Sequence, residues 1–125
     1  MQQEIKKLLD ENKIILVDAR EENRYLGKEE KIDKKSGHIP GSINSPYAAN
    51  INEKGFFKSN EELIKKFEIL LNDSSKEIVH MCGSGVTACH NFLAVDLTQK
   101  FGVQKIYIGS WSAWIEDENN EVGLG

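Results

Sequence analysis

The seven residues from Cys82 to Ala88, Cys-Gly-Ser-Gly-Val-Thr-Ala, combine types that could carry out nucleophilic chemistry. They follow an apolar run, Ile78–Met81, and precede a helical pattern that extends from Val86 to about Lys100. Glycines let a backbone turn sharply, and the first N–H groups of a helix have no partner within it. Such groups can surround an atom carried by the Cys82 sulfur and favour its thiolate. A buried structural thiol is the alternative. We expect an exposed nucleophile, because the cysteine is flanked by glycine at a turn.

The cysteine loop contains no lysine or arginine, which limits the reactions that it could catalyse. Phosphatases that use a cysteine loop need an arginine six positions after the cysteine to match the charge of a phosphoryl group. That position is Ala88, and residues 82–88 contain neither lysine nor arginine. Neutral N–H groups suit a single polarisable atom with one negative charge, as in a cysteine persulfide. The loop therefore favours sulfur chemistry and argues against a phosphatase or an arsenate reductase.

Three further motifs accompany the cysteine loop and suggest a family. They are Val17–Arg20 with Arg24–Gly27, Gly37–Asn44 and Tyr107–Trp114. Together the four motifs resemble those of the rhodanese domains, in the same order, and the cysteine loop resembles that of the 3-mercaptopyruvate sulfurtransferases within that family.

The resemblance implies an α/β fold of three layers, in which a mainly parallel central sheet is flanked by helices on both faces. It also implies that residues 1–125 form a single rhodanese domain. That domain corresponds to the catalytic, C-terminal half of the two-domain sulfurtransferases, so the chain is either a single-domain enzyme or such a half.

A sulfurtransferase activity follows from the same resemblance. Cys82 would take sulfane sulfur from 3-mercaptopyruvate or thiosulfate and pass it, as a persulfide, to a thiol or cyanide acceptor.

Ser84 would be catalytic through a serine-based relay, whose histidine and aspartate partners lie in the inactive domain of the two-domain enzymes. A small turn residue is the alternative for Ser84. Mercaptopyruvate is the preferred donor, because the loop is neutral and thiosulfate is a dianion. The main-chain groups that would bind the transferred sulfur belong to Gly83, Gly85, Val86 and Thr87.

Two arginines near the first predicted strand have different expected roles. Arg24 is expected to bind the donor carboxylate, since the cysteine loop offers no cation; a surface helix arginine is the alternative. Arg20 is expected to be structural and to pair with Asp18, Glu21 or Glu22. The resembled enzymes have a second substrate arginine nine residues after the first, but Asp33 stands there. Substitutes could be Lys31, Lys34 or Lys35, although an ammonium does not reproduce a guanidinium fork.

A second function remains open beside the enzyme. The chain could be a regulatory module, or one that carries persulfide to a partner protein with little small-molecule turnover. As an enzyme, it would use an acceptor such as thioredoxin or glutathione. No motif implies a cofactor.

Composition limits the partners and the compartment. The chain has 125 residues with a formal charge of −4 and a pI near 5.4, so nucleic acid is not expected to bind. No apolar run is long enough to cross a bilayer, and residues 1–10 are amphipathic and charged, so no membrane or signal peptide is expected. We expect the protein to be located in the reducing cytoplasm. The spacing of Cys82 and Cys89 fits neither a disulfide nor a zinc site.

The remaining pattern predicts the elements that position these residues. Helices are expected over Gln2–Glu11 and after a Ser59–Glu62 capping box, and strands over 14–17, 77–81 and 103–108. The helix after the cysteine loop is expected to be heavily buried, with Cys89 facing the sheet and His90 and Asn91 in water. Residues 116–125 are expected to fray.

Three other residue types have expected positions. His38 is expected to tie its turn to backbone or carboxylate groups, and His80 to lie in the core. Trp111 and Trp114 either wall the pocket or cover the core.

Overall fold

A parallel four-stranded sheet organises the computed structural model, which describes residues 2–30, 35–71, 76–83, 87–98 and 101–124. All pairings between its strands are parallel, and the order is β2-β1-β3-β4. The sheet confirms the predicted fold class. The strands are β1, Ile14–Asp18; β2, Ile43–Asn44; β3, Glu77–Met81; and β4, Gln104–Ile106.

Five α-helices and one 3₁₀ turn surround the sheet in the described part of the chain. The turn, Tyr47–Asn50, follows β2, and α5 follows β4. The sequence pattern did not predict α5. The α-helices are α1, Gln2–Asp10; α2, Glu22–Tyr25; α3, Asn60–Leu70; α4, Ala88–Thr98; and α5, Ser110–Trp114.

Each face of the sheet is covered by its own hydrophobic cluster. Because side chains alternate along a strand, Leu16 and Val79 pack against α1 and α5, whereas Val17 and Ile78 pack against α3 and α4. The three-layer arrangement predicted from the family resemblance is therefore confirmed. Parallel strands buried on both faces explain why β1 and β3 are nearly continuous apolar runs.

The predicted capping box begins α3. Ser59 Oγ accepts a hydrogen bond from the Glu62 N–H at 3.3 Å and donates one to Glu62 Oε1 at 3.2 Å. These bonds satisfy a donor at the helix N-terminus and fix where α3 starts.

The residues that α4 exposes and buries differ from the prediction. Cys89 is exposed and Asn91 is fully buried, and Leu93 and Leu97 are 46% and 43% exposed. The prediction failed because the buried face of α4 consists mainly of small or polar residues, namely Ala88, Asn91, Ala94, Val95 and Thr98, and not of its leucines. Asn91 can be buried because its side chain bonds to Ser45 O at 2.8 Å and to Asn50 Nδ2 at 2.6 Å.

The segment after α5 docks on the fold, so the prediction that it frays is wrong for residues 116–124. His38 and Gly123 exchange two main-chain hydrogen bonds of 3.0 and 2.8 Å. Trp114 Nε1 donates to Glu121 O at 2.9 Å, and Val122 packs against the core.

His80 lies in the core of the sheet, as predicted. Its side chain is fully buried, with Nε2 2.6 Å from Gln104 Oε1 and its ring edge-on to Phe92. Burial lowers the pKa of His80 to about 4, although the bond with Gln104 opposes this shift. The imidazole is therefore neutral at pH 7.

This depressed pKa predicts a loss of stability in mild acid. Between pH 6.5 and about 4, His80 is protonated in the unfolded chain but stays neutral in the folded chain. The free energy of unfolding therefore falls as the pH falls through this range. The full difference is about 3 kcal/mol. In urea unfolding at pH 7, 6, 5 and 4.5, His80→Gln should lose less stability than the wild type. Equal losses in the two proteins would contradict the prediction.

Candidate functional site

Cys82 directly follows β3 at the edge where the carboxyl ends of the parallel strands meet, the usual location of ligand sites in open α/β sheets. It is only 1% exposed and packs with Ala19 and Ala88, beside half-buried Tyr47 and Ile106. The predicted exposure of this cysteine is therefore wrong. The prediction considered only the local turn. In the fold, three other segments cover Cys82: the residue after β1, the 3₁₀ turn and the start of α4.

Main-chain bonds to the start of α5 fix the backbone of Cys82. Its N–H donates to Ser110 Oγ at 3.0 Å, and its carbonyl accepts from the Trp111 N–H at 3.0 Å. Gly83 O accepts from the Ser112 N–H at 2.9 Å. Residues 110–112 and Cys82 therefore meet at one edge of the sheet.

Sequence reasoning missed Ser110 as a positioning residue. It is fully buried, its φ is 52°, and its hydroxyl donates to Tyr107 O at 2.7 Å while accepting from Cys82. A non-glycine residue in this left-handed region is uncommon and strained. The only signal in the sequence was its place after Gly109 in a motif already noted.

The other predicted loop residues are only partly described. Ser84, Gly85 and Val86 lie outside the described residues. Thr87 is half-buried, and its carbonyl accepts a hydrogen bond from the His90 N–H at 3.1 Å.

Arg20 forms a buried ion pair with Asp18, which confirms its structural role. Its Nη2 is 2.8 Å from Asp18 Oδ2, and its Nε is 3.1 and 3.0 Å from the two carboxylate oxygens. Nη2 also donates to Gly37 O at 2.7 Å, and the guanidinium carbon lies 4.6 Å from the centre of the Trp111 ring. The pair thereby joins the end of β1 to the Gly37 turn and to the helix that fixes Cys82.

Arg24 lies on α2, with its Nε 3.3 Å from Glu30 Oε2. The side chain of Glu30 is 5% exposed and also lies 3.7 Å from Arg20 Nη1. Glu30 therefore lies between two arginines, which the sequence did not indicate. Of the suggested lysine substitutes, Lys35 is exposed, whereas Lys31 and Lys34, like Asp33, fall outside the described residues.

His38 and the two tryptophans have structural contacts. His38 Nδ1 is 2.7 Å from Tyr25 O, and its ring stacks on Tyr25 at 4.0 Å, so the predicted tie to backbone is confirmed. Trp111 and Trp114 are 0% and 2% exposed and belong to the core cluster, which favours the core alternative over a pocket wall.

A sequence profile described as the rhodanese-like domain matches residues 1–117. The chain belongs to this family. The family predicted from the four motifs is therefore confirmed.

Curated relatives in this family are sulfurtransferases. A "Probable 3-mercaptopyruvate sulfurtransferase" of Pseudomonas aeruginosa is 42% identical over 113 residues, covering 90% of this chain and 39% of the relative. A "Thiosulfate sulfurtransferase" of Bos taurus is 44% identical over 109 residues, covering 85% of this chain and 36% of the relative. The chain thus spans well under half the length of these curated relatives.

A solved structure shows the same fold at lower identity. The anaerobic ergothioneine biosynthesis enzyme of Chlorobium limicola is 20% identical, with a TM-score of 0.87 over 98% of this chain and 31% of that chain.

The described residues show neither a metal-binding group of side chains nor a membrane-spanning helix. Within them, no three His, Cys, Asp or Glu side chains are grouped as a metal site would require. None of the helices they form has the length and apolar character that crossing a membrane requires.

The burial of Cys82 predicts slow alkylation. With iodoacetamide, exposed Cys89 should react at least about tenfold faster than Cys82, because reagent reaches Cys82 only when its cover opens. Tyr47→Ala removes part of that cover and should accelerate labelling of Cys82, as measured by peptide mass mapping. Phe56→Ala, which truncates a 69% exposed aromatic residue, is the control. Labelling of Cys82 at the wild-type rate in Tyr47→Ala would be inconsistent with this cover.

Breaking the Asp18–Arg20 pair should destabilise the fold strongly. Asp18→Asn leaves a 2% exposed arginine without its bidentate partner, a change that costs about 3–5 kcal/mol. Glu11→Gln, which breaks the exposed 3.0 Å pair with Lys13, should cost less than about 1 kcal/mol. Chemical denaturation measures both, and equal losses would argue against the structural role of Arg20.

Proposed function

We propose that this chain moves sulfane sulfur from 3-mercaptopyruvate or thiosulfate to a thiol or cyanide acceptor through a persulfide on Cys82. The observation that carries the proposal is the position of Cys82, directly after a central strand, with its N–H and carbonyl both bonded to the start of α5. Ala88, beside it, stands where a cysteine phosphatase needs its arginine. The named sulfurtransferase relatives support the same activity.

The reaction would proceed in two half-reactions. The Cys82 thiolate attacks the donor sulfur, and the electrons of the broken carbon–sulfur bond of mercaptopyruvate pass to carbon, which takes up a proton as pyruvate forms. An acceptor thiolate or cyanide then attacks the outer sulfur, and the pair of the broken sulfur–sulfur bond returns to Cys82. Main-chain N–H groups of Gly83, Gly85, Val86 and Thr87 would stabilise the persulfide charge, and Ser84 would move the proton.

Arg24 is proposed to bind the donor carboxylate. Its Nε faces Glu30, so the carboxylate of Glu30 can orient the guanidinium that would bind the donor. The shared position of Glu30 between Arg24 and Arg20 would also link donor binding to the ion pair that supports the site.

A persulfide carrier that serves a partner protein is the second candidate. It is favoured by the 1% exposure of Cys82, since a protein that displaces the covering side chains on docking would gain access that a small molecule lacks. Thioredoxin or glutathione is the proposed thiol acceptor, and the reducing cytoplasm the proposed location, with neither nucleic acid nor a membrane as partner.

Intact mass spectrometry tests the persulfide directly. After incubation with mercaptopyruvate or thiosulfate and removal of the donor, the wild type and Cys89→Ser should each gain one sulfur, and Cys82→Ser none. Sulfur gained by Cys82→Ser would sink the assignment of the nucleophile.

Arg24→Ala should weaken donor binding without slowing sulfur release. The loss of a charge-assisted hydrogen bond predicts an increase of about tenfold or more in KM for mercaptopyruvate. The rate at which a preformed persulfide is discharged to a thiol should not change. Steady-state and single-turnover kinetics measure the two steps, with the exposed Lys28→Ala as control. An unchanged KM would remove Arg24 from the site.

A further inference from the structure

Four ionisable side chains contact one another in sequence between the end of β1 and α2, and they are called here the charge network. Arg20 binds Asp18, and Glu30 Oε1 lies 3.7 Å from Arg20 Nη1. Glu30 Oε2 then lies 3.3 Å from Arg24 Nε. The side chains of Asp18, Arg20 and Glu30 are 0%, 1% and 5% exposed, whereas that of Arg24 is 18% exposed. The two carboxylates and two guanidiniums of the network carry charges that sum to zero.

The charge network reaches the cysteine through Trp111. The Arg20 guanidinium lies 4.6 Å from the centre of the Trp111 ring, and the Trp111 N–H donates to the Cys82 carbonyl at 3.0 Å. Arg24, at the other end of the network, is the residue proposed above to bind the donor carboxylate. Glu30 is therefore a neighbour of the proposed donor-binding group and carries a charge of the same sign as the donor.

Local folding does not require the Glu30 carboxylate. The turn after α2 is closed by main-chain bonds, since the N–H groups of Lys28 and Glu29 donate to Asn23 O at 2.9 and 3.2 Å. Arg20 Nη1 is buried and has no hydrogen-bond acceptor among the described residues, although Glu30 is 3.7 Å away. A carboxylate placed only to satisfy this buried arginine would lie at hydrogen-bond distance from it. Glu30 instead lies nearer to the guanidinium proposed to bind the donor.

A fixed negative charge beside a binding guanidinium discriminates between anions of different charge. It repels a bound anion with an energy proportional to the charge of that anion, so a dianion meets twice the repulsion of a monoanion. At 5% exposure, the charge of Glu30 is screened less than a surface charge would be. Thiosulfate is a dianion, whereas the carboxylate of 3-mercaptopyruvate carries a single charge.

We propose that Glu30 sets the donor specificity of the site, because its charge beside Arg24 favours a monoanionic 2-oxo acid such as 3-mercaptopyruvate over a dianion such as thiosulfate. This inference rests on the proposed function, in which Arg24 binds the donor. Glu30 acts through Arg24 and not on the reacting atoms, so it is a specificity-determining residue and not a catalytic one. The transfer of sulfur to Cys82 is the same with either donor.

The ratio of kcat/KM for thiosulfate to kcat/KM for 3-mercaptopyruvate, with cyanide as the common acceptor, measures this preference. Glu30→Gln keeps an oxygen that can accept from Arg24 Nε but removes the charge, so the ratio should rise about 3- to 10-fold, and less at high salt. Poorer orientation of Arg24 would lower both values alike and leave their ratio unchanged. Glu22→Gln, which removes an exposed carboxylate from the same helix as Arg24, is the control.

The two variants decide the proposal. A ratio in Glu30→Gln equal to that in Glu22→Gln would overturn it. Glu30→Gln should fold, because Arg20 keeps its bonds to Asp18. If circular dichroism shows that it does not, Glu30→Asp takes its place, since it keeps the charge but moves it one methylene away from Arg24. The ratio should then rise by about 1.5- to 2-fold, and a wild-type ratio would overturn the proposal.

Binding of unreactive anions separates this inference from the sulfurtransferase proposal. Pyruvate and oxalate are similar in size, carry one and two negative charges, and have no sulfur to transfer. In the Cys82→Ser background, NMR titration should show that Glu30→Gln raises the affinity for oxalate about 3- to 10-fold more than that for pyruvate, and that Glu22→Gln does not.

The two proposals fail in different ways. This difference in affinity, found in a protein whose wild type forms no persulfide, would refute the sulfur transfer alone and retain the role of Glu30. Equal changes for the two anions, or no saturable binding of either, in a protein that does form the persulfide would refute the role of Glu30 alone.

Discussion

The buried pair of Asp18 and Arg20 is the interaction on which the site depends. One guanidinium binds the carboxylate at the end of β1, the Gly37 carbonyl and the face of Trp111. The main chain of Trp111 in turn holds the carbonyl of Cys82. The charge pair thus helps to set the position of the cysteine through Trp111, and removing one partner would leave an uncompensated buried charge.

The sheet supplies the other half of the positioning. Strands β1 and β3 pair over five residues, from Ile14 with Glu77 to Asp18 with Met81, so the residues that follow them, Ala19 and Cys82, emerge side by side. The small side chain of Ala19 leaves room for the sulfur, and Ala88 does the same from α4. Larger residues at these two places would displace the cysteine from the edge of the sheet.

Sequence patterns predicted correctly those features of the fold that depend on residues close together in the chain. The apolar runs of β1 and β3, the capping box at Ser59 and the turn at Gly37 depend on near neighbours, and each was predicted correctly. The burial of Cys82, the inward face of Asn91 and the placement of Glu30 depend on segments distant in the chain that close over them. A polar residue such as Asn91 is expected in water until its partners, Ser45 and Asn50, are known.

The unequal exposure of the two cysteines decides which thiol is oxidised first when the protein meets an oxidant. Peroxides attack accessible thiolates first, and only the earliest product, the sulfenic acid, is readily reversed by thiols. Cys89 is exposed on α4 and is the sulfur that an oxidant would meet first, whereas the side chains packed over Cys82 shelter its thiol. The order in which the two thiols are oxidised is thus set by burial and not by their distance along the chain.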